Sequence, residues 1–202
     1  MDISARGCRS AIGDKQLRWV LGNVATGVMV VTALAGDTQV GMTANSFTSV
    51  SLDPPLVLIC VGRGSPTGRR IIDSGAFAVN VLSGAQQELA RHFAASAPNR
   101  FAGVECRPGL TGSPLLAEAM AYLDCRIIET LERGDHGVVI GAVVDMGAIK
   151  ASDPLIFFRG SYWSGRALAA GRGASLLNDE HSRDGQREPF CEDVQGNAAG
   201  GR

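Results

Sequence analysis

The sequence predicts a mainly β domain whose strands pair antiparallel, as a barrel or a sandwich. Three observations support this class. Apolar, β-branched segments dominate residues 15–165, they follow one another as hairpin pairs, and they do not alternate with helices as in a Rossmann sheet. With 45% hydrophobic and 19% charged residues, a chain of 202 residues can bury a core of ordinary size.

The domain is predicted to begin with a helix followed by a hairpin. Apolar residues recur at helical spacing near its start: Leu17, Val20, Leu21 and Val24. Asp14 precedes them and is expected to cap the first turn. Two β segments follow at 28–34 and 39–44, and the intervening Ala-Gly-Asp-Thr at 35–38 predicts the turn between them.

Two further helices and the remaining strands complete the domain. Ser65 as N-cap and Pro66 at the first position predict a helix over 66–73. Ser83 and Gln86 form a capping box that opens a helix running to about residue 95. Strands are predicted at 56–61, 76–82, 123–131 and 138–146, and a last one contains Phe157 and Phe158.

Composition divides the chain into three parts. Residues 1–14 are polar and are interpreted as a flexible arm, and residues 15–165 as the folded domain. Residues 166–202 are rich in Gly, Ala, Arg and Asp, with Phe190 as the single aromatic residue. Such a segment buries too little apolar surface to offset its ordering entropy, so we predict a disordered tail.

Several functional classes are disfavoured by composition and spacing. A net charge of −1 indicates no nucleic-acid partner. Five widely spaced cysteines predict neither a disulfide framework nor a zinc site, and suggest reduced thiols in the cytoplasm. No apolar run is long enough to span a membrane, and none resembles a signal peptide. The three histidines lie in no metal-binding pattern, and no nucleophile elbow, P-loop or dinucleotide fingerprint is present.

The most informative segment, 41–56, reads Gly-Met-Thr-Ala-Asn-Ser-Phe-Thr-Ser-Val-Ser-Leu-Asp-Pro-Pro-Leu. A strand ends here in small polar residues, so that amides and hydroxyls can face a planar polar ligand. A flavin edge requires alternating donors and acceptors, and amides near N1 stabilise the negative charge that reduction creates. The alternative is a Ser/Thr-rich loop whose side chains satisfy its own backbone.

A second candidate element is 65–70, Ser-Pro-Thr-Gly-Arg-Arg. A helix N-terminus offers unpaired amides and the positive end of the helix dipole, and here two hydroxyls and two arginines accompany it. This combination predicts a phosphate site. The alternative is an ordinary capped helix.

Together, these residues resemble the flavin reductase-like family, the short-chain NAD(P)H:flavin oxidoreductases that feed reduced flavin to monooxygenases. The resemblance extends over residues 17–163. It is carried by an ordered set of motifs: Thr43-Ala44-Asn45-Ser46-Phe47, Ser49-Val50-Ser51, Asp53-Pro54-Pro55, 77–82 with Gln86, Arg100-Phe101-Ala102-Gly103, Gly134-Asp135-His136, Pro154-Leu155 and Gly160-x-Tyr162.

The family resemblance implies a six-stranded antiparallel split barrel with flanking helices, the FMN-binding split barrel, assembled as a homodimer. It implies a non-covalent, exchangeable FAD or FMN, with NADH or NADPH as hydride donor. The partner is a flavin-dependent monooxygenase, and neither nucleic acid nor membrane is expected to bind.

The resemblance also implies roles for individual residues. The ring edge is assigned to Thr43, Ala44, Asn45 and Ser46, the ribityl chain to Ser49, Val50, Cys60, Val61 and Gly62, the phosphate to Ser65 and Thr67, the outer part of the cofactor to Arg100 and Phe101, and the nicotinamide side to His136 and Tyr162. His136 is the expected catalytic residue, because its imidazole could orient the nicotinamide without donating a proton.

Other functions remain open at this point. A non-catalytic flavin carrier or redox sensor would keep the flavin-binding elements without oxidising NADH. A split-barrel oxidase would hold its flavin tightly and act on a small amine or phosphate ester. A purely structural barrel would bind no flavin.

Overall fold

The computed structural model describes residues 13–97, 99–148 and 152–165. Most of the predicted flexible arm and the whole predicted tail, 166–202, lie outside the described residues. The described ranges contain three helices, α1 (Asp14–Leu21), α2 (Pro66–Asp73) and α3 (Gln87–Ala94), and a 3-10 turn at Gly84–Gln86 precedes α3. None of the helices in the described ranges is long and apolar enough to cross a membrane.

Two of the three predicted helix starts are confirmed, and one is wrong. Ser65 caps α2, and the Gln86 side chain accepts a hydrogen bond from the Ser83 amide in the predicted capping box. At α1, however, the N-cap is Gly13 and Asp14 is the first helical residue. The extended backbone of Gly13 takes the cap position, so the Asp14 carboxylate lies in the first turn, at the positive end of the helix dipole.

Twelve strands occupy the described residues. They are β1 (Thr26–Gly27), β2 (Met29–Ala35), β3 (Thr38–Ala44), β4 (Thr48–Leu52), β5 (Pro55–Gly62), β6 (Ala76–Val81), β7 (Cys106–Pro108), β8 (Pro114–Leu116), β9 (Ala121–Arg133), β10 (His136–Ala148), β11 (Leu155–Phe158) and β12 (Ser161–Ser164). All of the pairings are antiparallel. The mainly β, antiparallel class is therefore confirmed.

The main sheet has the strand order β3-β2-β6-β9-β10-β5-β4 and therefore contains seven strands, where the family resemblance implied six. The edge strand β4 comes from the polar segment after β3, where the sequence predicted no further strand before residue 56. It forms because its backbone finds partners along β5, with Thr48 opposite Leu58 and Leu52 opposite Pro55. A three-stranded sheet, β1-β11-β12, and the β7-β8 pair complete the fold.

The strand β2 is buried on both faces, and this places the helices α2 and α3 on opposite sides of the sheet. Val31 belongs to a core cluster with Ile71 of α2, whereas Val30 belongs to a second cluster with Phe93 of α3. Both helices also pack against β3. The end of β3, where the predicted ring-edge segment begins, thus lies beside both helices.

Candidate functional site

The predicted ring-edge residues are fixed to two neighbouring elements. The Thr43 hydroxyl donates to the carbonyl of Ala90 in α3 at 2.6 Å. The Ser46 hydroxyl donates to the carbonyl of Cys60 and accepts from its amide, both at 3.0 Å. Asn45 donates its side-chain amide to the Thr26 hydroxyl at 3.0 Å. These long-range bonds hold the segment between α3 and β5, which differs from a loop that satisfies its own backbone.

The residues predicted to line the ribityl chain lie on β4 and β5. Ser49 pairs with Val57, and the register changes before Ser51, so Val50 is the extra residue of a bulge on an exposed edge strand. Cys60 and Gly62 are half-buried on one face of β5. Val61 points the other way, into the core, so only its backbone is available to a ligand.

At the N-terminus of α2, two hydroxyl groups already accept hydrogen bonds. The Ser65 hydroxyl oxygen accepts from the Gly68 amide at 3.0 Å, as an N-cap should. The Thr67 hydroxyl oxygen accepts from Nη1 of Arg100, also at 3.0 Å. Arg69 and Arg70, in the same motif, are exposed.

The N-terminal turn of α2 packs closely against β5 because its third residue is glycine. A Cβ atom at Gly68 would lie only 2.0 Å from Cγ1 of Val61. A helix-interior glycine costs about 1 kcal/mol relative to alanine, which signals a packing requirement at this position. Sequence reasoning did not include Gly68 among the site residues, although that signal was present.

Arg100 and Phe101 lie in the turn after α3 and contact the protein itself. The Arg100 guanidinium donates to the carbonyls of Gly41 and Ala95, both at 2.8 Å, in addition to Thr67. The Phe101 ring packs edge-on against Phe93 at a centroid distance of 5.2 Å. Both residues are half-buried.

His136 is the first residue of β10 and stands opposite Gly62 in β5. Its Nδ1 lies 2.7 Å from Oδ1 of Asp135, and its side chain is 50% exposed. This hydrogen bond, followed by the charge of the imidazole, holds the pKa of Asp135 below its usual range. The adjoining turn is supported by Arg63, whose amide donates to the Asp135 carbonyl at 2.9 Å and whose guanidinium donates to the Gly134 carbonyl at 3.3 Å.

Tyr162 reaches the ring-edge segment from the three-stranded sheet. Its ring packs edge-on against Phe157 at 5.4 Å. A cavity of about 190 Å³ separates it from the end of β3, with the following lining residues: Val28, Thr43, Ala44, Asn45, Ala94, Phe157 and Tyr162. Val28, Ala94 and Phe157 were not predicted as site residues, because nothing in their local sequence distinguishes them from core residues.

The structure therefore connects most of the predicted site residues. Segment 43–46 is bonded to β5, the end of β5 pairs with His136, and the Ser65 amide donates to the Gly62 carbonyl at 2.9 Å. Tyr162 lines the same cavity as Thr43 and Asn45 of this segment. His136 and Tyr162, which were expected on one side of the ligand, have different neighbours within the chain. Over the described residues, no group of three His, Cys, Asp or Glu side chains could hold a metal ion.

Comparison with known proteins gives a consistent result. The model of the flavin reductase-like domain matches residues 21–166. The reductase subunit HsaB of a flavin-dependent monooxygenase from Mycobacterium tuberculosis is 40% identical over 153 residues, covering 75% of this chain and 82% of that protein. An NADH-dependent FAD reductase from Streptomyces globisporus is 45% identical over 152 residues, covering 73% and 83%.

Solved structures show the same similarity. The S. globisporus NADH:FAD oxidoreductase SgcE6, in complex with NAD and FAD fragments, has a TM-score of 0.70 at 44% identity, covering 74% of this chain and 92% of that one. Nitrilotriacetate monooxygenase component B from Mycobacterium thermoresistibile has a TM-score of 0.74 at 35% identity, covering 82% and 93%.

Proposed function

Because the chain belongs to the flavin reductase-like family, as its motifs predicted, we propose that it is an NAD(P)H:flavin oxidoreductase supplying reduced FAD or FMN to a partner monooxygenase. Its relatives include an NADH-dependent FAD reductase and the reductase subunit of a flavin-dependent monooxygenase. The single observation that carries the proposal is the hydrogen-bonded junction at β5. There the Ser46 segment, the α2 N-terminus and His136 converge.

The α2 N-terminus fits a flavin phosphate. Ser65 and Thr67 each use a hydroxyl lone pair within the protein, so each keeps its proton to donate to an anion. The helix dipole and the first-turn amides add positive potential at the same place. This arrangement supports the proposed phosphate contacts of Ser65 and Thr67.

Segment 43–46 fits the polar edge of the isoalloxazine ring. Its two hydroxyl side chains are engaged by α3 and β5, so the backbone conformation is fixed before a ligand arrives. A preorganised set of backbone dipoles needs no reorganisation when charge develops on the ring. We assign Ser49, Val50, Cys60 and Gly62, with the Val61 backbone, to the ribityl chain beside it.

When both are bound, the nicotinamide nucleotide and the flavin would supply the chemistry, which is hydride transfer from nicotinamide C4 to flavin N5. The protein's part is to hold the two rings at reacting distance, a positioning effect that needs little acid–base chemistry. The Nδ1 of His136 is engaged by Asp135, and its Nε2, which has no hydrogen-bond partner among the described residues, can bond a carboxamide. Tyr162 offers an aromatic wall to the cavity beside Thr43 and Asn45.

Homodimer formation through the outer face of β5 and β10 is part of the proposal. Half-exposed apolar residues pair across this face, with Leu58 opposite Ile140 and Leu56 opposite Ala142. Contiguous apolar faces of this kind mark association surfaces. We further infer that the sheet is the split barrel of the family, which has six strands when the short edge strand β4 is set aside.

The reductase proposal is tested by steady-state oxidation of NADH and NADPH with added FAD, FMN or riboflavin. We expect rapid oxidation that depends on added flavin, and a bound flavin that dialysis removes. A flavin that survives exhaustive dialysis and is not reduced by NADH would support the oxidase alternative. Flavin binding without NADH oxidation would support the carrier or sensor.

The dimer is tested by sedimentation velocity of Ile140→Glu, which places a charge in the apolar face. We expect the variant to sediment as a monomer. Leu110→Glu is the matched control, because Leu110 is 72% exposed in a loop away from β5 and β10. A wild-type chain that is monomeric at micromolar concentration would refute the dimer while leaving the reductase assignment intact.

We also propose a cytoplasmic location for the protein. Cys60, Cys106 and Cys125 are free thiols, as expected in a reducing compartment. Fractionation of cells that produce the chain from its own gene tests this location.

A further inference from the structure

We propose that Arg100 is a positioning residue of the phosphate site and acts on the cofactor through Thr67. This inference rests on the proposed function, and it revises the direct cofactor contact that the family resemblance implied for Arg100. The geometry that supports it is the set of three hydrogen bonds from one guanidinium to three separate elements of the chain.

The guanidinium lies where three elements meet. Nη1 donates to the Gly41 carbonyl of β3 and to the Thr67 hydroxyl of α2, and Nε donates to the Ala95 carbonyl at the end of α3. The residue's own carbonyl lies 2.8 Å from Nε2 of His92, which holds the backbone of the turn. Because the fork of a guanidinium is planar and rigid, these bonds fix the relative positions of α2, β3 and α3.

The close approach of these elements depends on a small residue at the same place. A Cβ atom at Gly41 would lie 2.8 Å from Cε1 of Phe93 and 3.3 Å from Cζ of Phe101. Glycine therefore lets α3 and the turn that carries Arg100 close onto β3. Consequently, the guanidinium reaches Gly41 and Thr67 with one nitrogen atom.

The acceptors of Arg100 are all uncharged, and no ion pair to it occurs within the described part of the chain. Its positive charge is therefore free to favour an anion near the start of α2, where the helix dipole has the same sign. Since one Thr67 lone pair is occupied by Arg100, the hydroxyl proton points away from the guanidinium. A cationic donor also polarises this hydroxyl, which strengthens its own donation to a phosphate.

The inference is tested by measuring FMN and riboflavin dissociation constants of the full chain, by quenching of flavin fluorescence, for Arg100→Lys, Thr67→Val and the double variant. Lysine keeps the charge but cannot reproduce the planar fork. We expect each single variant to weaken FMN about tenfold and riboflavin less than twofold. In the double variant the loss of FMN affinity should stay within twofold of either single loss, because both changes remove the same action of Arg100 through Thr67. Thr67→Ser, which keeps the hydroxyl, should bind FMN nearly as tightly as the wild type does.

Additive losses in the double variant would overturn the inference, as would an equal loss of riboflavin and FMN in Arg100→Lys. Should Arg100→Lys fail to fold, Arg100→Gln takes its place beside Thr67→Val and the corresponding double variant. Non-additive losses of FMN affinity then support the action of Arg100 through Thr67, and additive losses show that Arg100 acts without Thr67. A wild-type chain that binds neither flavin would instead refute the proposed function, and with it the role of Arg100.

Discussion

The two ends of the candidate site differ in how firmly the protein holds them. At the α2 N-terminus, Ser65 is the N-cap of its own helix, and the Thr67 hydroxyl accepts a hydrogen bond from Arg100. Gly68 packs directly against the core residue Val61. At the β9–β10 turn, the His136 side chain is half exposed, and its one described side-chain partner is the exposed carboxylate of Asp135. The first end is fixed by its own cap and by contacts with β5 and the Arg100 turn, whereas the second is a hairpin turn.

This difference suits a reaction in which two ligands meet but are handled differently. A preorganised pocket lowers the ordering cost of binding, so the α2 end, in the role proposed for it, would favour selective recognition of a flavin nucleotide. An exposed imidazole on a turn can approach a nicotinamide that arrives and leaves in each catalytic cycle. Substitutions at the α2 end should therefore change stability and flavin affinity together, whereas those at the turn should change kinetics far more than stability.

The largest effect is expected for Gly68→Ala. The new methyl group would clash with Val61, so α2 must shift away from β5, and overpacking of this kind costs about 1–3 kcal/mol. FMN affinity should fall with stability, because the shift moves Ser65 and Thr67. Chemical denaturation and flavin titration measure the two effects.

Gly64→Ala is the matched control, since nothing lies within 4 Å of a Cβ atom there. In this control variant, stability and FMN affinity should both stay close to those of the wild type. Combining Gly68→Ala with Val61→Ala, which removes the clashing methyl group, should recover part of the FMN affinity. If Gly68→Ala binds FMN as the wild type does, the close packing of α2 is not required by the site.

A tenfold kinetic effect, about 1.4 kcal/mol, is expected for His136→Ala. The Michaelis constant for NADH should rise and hydride transfer should slow, while flavin affinity and thermal stability stay near wild type. Stopped-flow reduction of the bound flavin separates binding from transfer. His136→Gln keeps a hydrogen-bonding side chain and should recover part of the loss. Unchanged NADH kinetics in His136→Ala would mean that the residue only completes the turn.

Removal of the helix cap by Ser65→Ala should cost about 1 kcal/mol of stability and weaken FMN more than riboflavin. Ser74→Ala is a control at the opposite end of α2, where the hydroxyl lies within hydrogen-bond distance of the carbonyls of Ile71 and Ala76 and donates its single proton to one of them. It should lower stability and leave the ratio of the two flavin affinities unchanged. If Ser65→Ala lowers the affinities for FMN and riboflavin equally, the Ser65 hydroxyl acts only as the helix cap.

The smallest effect concerns the titration of Asp135. Its pKa is held below the usual range by the His136 hydrogen bond, so the pair stabilises the fold above the unfolded-state pKa of the carboxyl group. That contribution disappears as the pH falls through the lower, folded-state pKa. In His136→Ala the Asp135 pKa should move up towards its ordinary value, as measured by carboxyl NMR titration. An unchanged value would show that the pair does not form in solution.

Local sequence signals predicted the elements whose formation depends on neighbours along the chain. The helix α2 matches its predicted bounds because Ser65 and Pro66 specify its start. The first hairpin has its turn at Gly36, whose φ of 62° favours glycine. The motif set also identified the family, because the order of short polar segments along the chain is itself sequence information.

Tertiary structure decided what depends on partners distant in sequence. The strand β4, seventh in the main sheet, forms by pairing with β5, which no local propensity reveals. The three hydrogen bonds of Arg100 join residues separated by up to 59 positions, so the sequence assigned the arginine to the outer part of the cofactor without revealing these bonds. Residue types determined which chemistry the chain can carry, and long-range packing determined which of these side chains are bonded within the protein and which stay exposed.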